Sequence, residues 1–119
     1  MIHILVVDDD EKLNKTVCTW LNDCGFETKS VLGAKEAYDE LYNSLYDLIV
    51  SDIMMPEMNG YEVTKAIRNL PDRPDGKEIP IIAMTANAFA EDIQAALDAG
   101  MNAHVAKPID MDILIFAIE

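Results

Sequence analysis

Asp8, Asp9 and Asp10 follow directly on an apolar run, and Asp52, Thr85 and Lys107 each follow another. An Asp in that position is by itself a weak signal, because it commonly caps a helix or makes a turn. Asp10 is assigned to capping on that ground. Capping does not account for Thr85 or Lys107. Carboxylates gathered from Asp8, Asp9 and Asp52 would repel by several kcal/mol for a pair ~4 Å apart at an effective dielectric of ~20. Such a cluster persists where a cation sits among its members or where some of them protonate. Hard oxygen donors with no Cys or His beside them select Mg²⁺ over zinc. Magnesium held by a few carboxylates keeps positions open for water and a phosphoryl oxygen. A carboxylate can also be the nucleophile and form an aspartyl phosphate. Phosphoryl transfer then needs mainly positioning and charge stabilisation. Lys107 can neutralise one phosphoryl oxygen, and the Thr85 hydroxyl can donate to another.

These residues need elements that bring them to one place. The apolar runs Ile2–Val7, Leu48–Ser51, Ile79–Met84 and Ala103–Ala106 read as strands, with the more polar Glu27–Val31 as a weaker fifth. Apolar runs without alternation suit parallel strands covered on both faces. Helical periods lie between them. Leu13, Val17, Trp20, Leu21 and Cys24 form one stripe, stopped by Gly25, and Ala34, Ala37, Tyr38, Leu41 and Leu45 form a second. Tyr61–Leu70 is a third helix, closed by Pro71. Phe89, Ile93, Ala96 and Leu97 mark a fourth, closed by Gly100. Ile109–Glu119 is a fifth, capped by Asp110. Strict β–α alternation predicts an α/β fold, a doubly wound five-stranded parallel sheet with five helices and right-handed crossovers. Ligands of such sheets bind beyond the carboxyl ends of the strands, which is where the polar residues fall. Pro71–Glu78 reads as an exposed loop.

Composition limits the alternatives. The 119 residues make one domain, 1–119, of ordinary globular composition. Twenty-two acidic residues against nine Lys and Arg give a net charge of −13. That balance disfavours direct contact with nucleic acid or an anionic membrane surface. No apolar run approaches the ~20 residues of a membrane span, and the expected location is the cytoplasm. Cys18 and Cys24 sit about 240° apart on one helix, so they do not bridge, and both are expected to be core filler.

Four motifs in order, ILVVDDD at 4–10, SDIMMPEMNG at 51–60, MTA at 84–86 and AKP at 106–108, resemble the receiver domain of two-component response regulators. The resemblance spans essentially the whole chain. It implies a flavodoxin-like sheet of strand order 2-1-3-4-5. It also implies that Asp52 is the phosphoacceptor, taking its phosphoryl group from phosphohistidine on a histidine kinase or histidine phosphotransfer domain. By the same resemblance Asp9, Asp52 and the Met54 carbonyl bind Mg²⁺ directly, and Asp8 acts largely through water. Lys107 contacts the phosphoryl group, and Thr85 is the switch hydroxyl. The stretch 85–109 looks most like receivers of hybrid sensor histidine kinases, with a stand-alone or DNA-binding regulator as the alternative. A fragment of a longer chain is expected.

Three positions depart from or tune that pattern. His104 stands where the family commonly has a switch Tyr or Phe; filling the same space is the expectation, with pH sensitivity as the alternative. Met54 and Asn87 offer no base to orient an attacking water, so a long-lived phosphoryl group is expected. Switching should act on the fourth helix, fifth strand and fifth helix. From Ala86 onward the acids Glu91, Asp92, Asp98, Asp110, Asp112 and Glu119 face only Lys107, so the partner there is a protein or a second copy and not DNA. The competing enzyme reading is an aspartyl phosphatase of the haloacid-dehalogenase type, with Asp8 as nucleophile. Lys12 and the short chain count against it.

Overall fold

A computed structural model of the chain describes residues 2–52, 60–69, 79–85, 90–106 and 111–118. The elements alternate throughout: β1 (His3–Val7), α1 (Glu11–Asp23), β2 (Glu27–Val31), α2 (Ala34–Asn43), β3 (Leu48–Asp52), α3 (Gly60–Arg68), β4 (Ile81–Thr85), α4 (Ala90–Ala99), β5 (Ala103–Ala106) and α5 (Met111–Ile118). All sheet pairings are parallel, in the order β2-β1-β3-β4-β5. This is the doubly wound, flavodoxin-like arrangement, with β3 at its centre.

Alternation along the strands feeds two cores. Leu5, Val7, Ile49, Ile81 and Ala83 point to one face and pack with Ala37, Leu41, Ile67 and Ala96 of α2, α3 and α4. Ile4, Val6, Val50, Ile82 and Met84 point to the other and pack with Val17, Leu21 and Leu114 of α1 and α5. Strands covered on both faces explain why their sequences read as unbroken apolar runs. Full burial of a Leu or Ile contributes roughly 1.5–3 kcal/mol, so these cores dominate stability.

Asp10 caps α1 as expected, its side chain accepting from the Leu13 amide at 3.1 Å. Starting the helix at Glu11 sets its phase, and the buried residues are Asn14, Val17, Cys18 and Leu21. Trp20 and Cys24, expected on the buried stripe, are exposed. At about 100° per residue they lie to one side of the true stripe. Leu45 also departs: α2 ends at Asn43 because Ser44 is extended, leaving Leu45 72% exposed. On α4 the sheet is met by Ala96 and Ala99, and Leu97 faces outward.

Gly25 and Gly100 end α1 and α4 at φ of 96° and 103°. In each case the next amide reaches back over the turn, Phe26 to the Leu21 carbonyl at 3.1 Å and Met101 to the Ala96 carbonyl at 3.0 Å. That closure needs a left-handed residue, which glycine adopts without cost from a Cβ. The Pro71–Glu78 loop, Phe89 and the Asp110 cap lie outside the described residues.

Candidate functional site: an acidic rim at the carboxyl ends of the central strands

Register brings the acids together. β1 and β3 run in step from Ile4 beside Leu48 to Val7 beside Ser51, so the next pair along is Asp8 and Asp52. Asp8 leaves the strand into the turn before α1, whereas Asp52 is the last residue of β3. Both are buried, Asp8 completely and Asp52 to 4% exposure, while Asp9 is exposed. One carboxylate oxygen from each of Asp8, Asp9 and Asp52 lies within 4.8 Å of the others.

Local bonds hold this geometry. Asp8 Oδ1 accepts from the Asp10 amide at 2.9 Å, and the Asp8 amide donates to the Val31 carbonyl at 3.2 Å. Beneath them Asn14 is buried, and its Nδ2 donates to the carbonyls of Val31 at 2.8 Å and Asp8 at 3.1 Å. Its Oδ1 accepts from Cys18 Sγ at 3.4 Å. Asn14 therefore ties α1 to the ends of β1 and β2. It was not among the residues singled out from the sequence. Its signal was position, since it lies three and four residues before Val17 and Cys18 on the buried side.

The same rim continues across the sheet. Asp52 pairs with Met84 and Thr85 with Ala106, so Thr85 closes β4 one step beyond Asp52. Both Asp52 and Thr85 are the final residues of their strands, one place inside the position expected. His104 is half-buried on β5, opposite Ala83. Met54, Asn87 and Lys107 lie outside the described residues.

The donor set is three short, all-oxygen side chains, two from the turn that follows β1 and one from the last residue of β3. It fits a hard divalent cation of the Mg²⁺ kind, which takes one or two carboxylates and keeps several waters. It does not suit zinc, which favours His and Cys ligands. Burial pushes the Cys18 thiol above its usual range, which disfavours the thiolate beside the rim.

Comparison with known proteins gives this geometry its family. Residues 4–119 match the model of the response regulator receiver domain. The chain belongs to that family. A 14.6 kDa protein from Leptolyngbya boryana is 44% identical to this receiver over 109 residues, covering 92% of this chain and 81% of the relative. The sensor histidine kinase RcsC of Escherichia coli K12 is 35% identical over 111 residues, 93% of this receiver but 11% of the kinase. The receiver thus spans about a tenth of that relative's length. The chemotaxis protein CheY4 of Vibrio cholerae superposes with a TM-score of 0.92 at 29% identity, over 99% of this chain and 96% of that one. The family settles the choice against a haloacid-dehalogenase phosphatase. The protein is a receiver domain of two-component signalling, and its relatives include both response regulators and receivers of hybrid kinases. Among the described residues, no helix is long and apolar enough to cross a membrane.

Proposed function

We propose that this receiver accepts a phosphoryl group on Asp52, with Mg²⁺ held by Asp9, Asp52 and the Met54 carbonyl and by Asp8 through water. The observation that carries the reading is the buried Asp52 carboxylate, on the central strand, within 4.8 Å of Asp8 and Asp9. When bound, the cation neutralises the carboxylates and the phosphoryl oxygens together. Asp52 attacks the phosphorus of a phosphohistidine. The new O–P bond forms as the N–P bond breaks, and the departing imidazole takes a proton from solvent. Asp8 and Asp9 hold the charge balance of the rim. The Lys107 ammonium offsets charge on one equatorial oxygen, and the Thr85 hydroxyl donates to another.

The phosphoryl donor is a histidine kinase or a histidine phosphotransfer protein. Support comes from the Ssk1 receiver of Saccharomyces cerevisiae, crystallised with the phosphotransfer protein Ypd1, which superposes with a TM-score of 0.87 at 25% identity. Phosphorylation adds nearly two negative charges at Asp52. Thr85 and His104 are the residues through which that charge acts on α4, β5 and α5. Leu97, Ile113 and Phe116 are exposed on the two helices, the last at 82%, which favours a protein partner or a second copy over nucleic acid. The RcsC match favours a hybrid kinase as the parent chain.

The test is phosphoryl uptake from acetyl phosphate and Mg²⁺, read by intact mass. The wild-type chain gains one phosphoryl group and Asp52→Asn gains none, while Asp8→Asn gains it slowly. Uptake that survives Asp52→Asn and disappears in Asp8→Asn overturns the assignment.

A further inference from the structure

Arg68, the last residue of α3, reaches across three neighbouring segments. Its Nε and Nη2 donate to the Gly100 carbonyl at 3.1 and 2.7 Å, and its Nη1 donates to the Ile79 carbonyl at 2.7 Å. Nη2 also donates to Asn102 Oδ1 at 2.9 Å. Asn102 Oδ1 in turn accepts from the Ile81 amide at 2.9 Å, and the Asn102 amide donates to the Ile81 carbonyl at 2.8 Å. One guanidinium thereby joins the C-terminal ends of α3 and α4 to the entrances of β4 and β5. This is the opposite end of the sheet from the acidic rim.

The contact is steric as well as polar. A Cβ at Gly100 would stand 3.3 Å from Arg68 Cγ and Nε, so the arginine stem lies against the residue that ends α4. Burial lowers the Arg68 pKa, a sign that the cation is drawn partly out of water. Its planar fork of donors meets several carbonyl acceptors at once, which a lysine cannot do. The other end of α4 begins at Ala90, on the side of the sheet where β4 delivers Thr85.

We infer that Arg68 makes the C-terminal end of α4 a fixed pivot, so that activation displaces the Ala90 end while Leu97–Asn102 stays locked to the sheet. The inference rests on the phosphoryl switch proposed for Asp52. A ten-residue helix is about 15 Å long. With one end held, a shift of about 1–2 Å at the other turns the helix by about 4–8°. That rotation carries the Ala90 half of α4 with it and leaves the packing of Ala96 and Ala99 intact. Arg68 would then be a positioning residue for the output face, with no part in the phosphoryl chemistry.

The test is residue-resolved amide hydrogen exchange on the whole chain, with and without acetyl phosphate and Mg²⁺, with phosphoryl uptake measured by mass on the same samples. The amides of Gly100, Met101 and Asn102 report the pivot, because each donates to a backbone carbonyl. In the wild type, exchange should change within residues 85–95 and stay constant at those three amides. In Arg68→Lys the three amides should exchange roughly tenfold faster at rest, the factor for losing one charge-assisted hydrogen bond. The response to acetyl phosphate should also spread to them, with uptake retained. Asn102→Ala removes one acceptor of the fork and should show the same spreading; it decides the matter if Arg68→Lys does not fold. A wild-type response at the three amides, or a wild-type pattern in a folded variant, overturns the pivot. Absence of phosphoryl uptake by the wild type overturns the Asp52 reading itself and the pivot with it.

Discussion

Replacing Asp8 by Asn should make the metal-free protein more stable and its response to Mg²⁺ smaller. Asn keeps the shape of Asp and retains an Oδ1 to accept the Asp10 amide, a bond of 2.9 Å. It removes one negative charge facing Asp52 at 4.8 Å or less. At an effective dielectric of ~20 that pair repels by about 3.5 kcal/mol. The repulsion from Asp9 contributes little to stability, because residues 8 and 9 stay adjacent in the unfolded chain. Allowing for solvent near the exposed Asp9, the net gain should be about 1–3 kcal/mol. For a chain of this length that raises Tm by about 4–12 °C in EDTA. Mg²⁺ stabilises whichever state binds it, by an amount that grows with the ratio of its concentration to Kd. The wild type should therefore gain more from millimolar Mg²⁺, and the gap between the two proteins should close or reverse. Thermal melts in EDTA and in Mg²⁺ measure both effects. A variant less stable than wild type in EDTA, or one with an undiminished Mg²⁺ shift, refutes the view that charge crowding is the state of this rim.

Other substitutions probe what holds the rim and the helix ends. Asn14→Leu leaves the Asp8 and Val31 carbonyls without their side-chain donor, and chemical denaturation should show a loss of about 1–3 kcal/mol. Gly100→Ala forces a Cβ into a left-handed turn against Arg68, and should lower Tm by about 4 °C or more. Tyr46 donates to Glu40 at 2.6 Å, and burial together with the Glu40 carboxylate pushes its phenol well above the usual range. Its folded-state pKa thus lies above the unfolded value, so its contribution is complete below about pH 10 and is lost as pH rises further. Stability between pH 9 and 11 should accordingly fall less steeply in Tyr46→Phe than in wild type, as followed by urea titration.

The chemistry of the rim was legible because it depends on residue type. Asp8, Asp9, Asp52 and Thr85 each stand at the end of an apolar run, and a parallel sheet delivers such ends to one edge. Alternating β and α units follow from local periodicity, which any segment carries within itself. Strand order came from the resemblance of four motifs and not from periodicity, since nothing local says which strands are neighbours. The phase of α1 was misread at Trp20 and Cys24 because a large apolar residue on the flank of a helix counts the same as one facing the core. Asn14 and Arg68 went unmarked for a related reason. A polar side chain looks like a solvated one until the carbonyls it serves are known, and those belong to Asp8, Val31, Ile79 and Gly100, residues outside the helix that carries it.

The amino-acid sequence alone thus determined the donors, their order along the chain and the fold class that collects them. Tertiary structure decided the register that sets Asp8 beside Asp52, the burial that makes their repulsion strong, and the arginine clasp at the far end of α4. The division is physical. Residue chemistry and periodicity are properties of short segments. Distance between charges, and the dielectric between them, exist only after the chain has closed on itself.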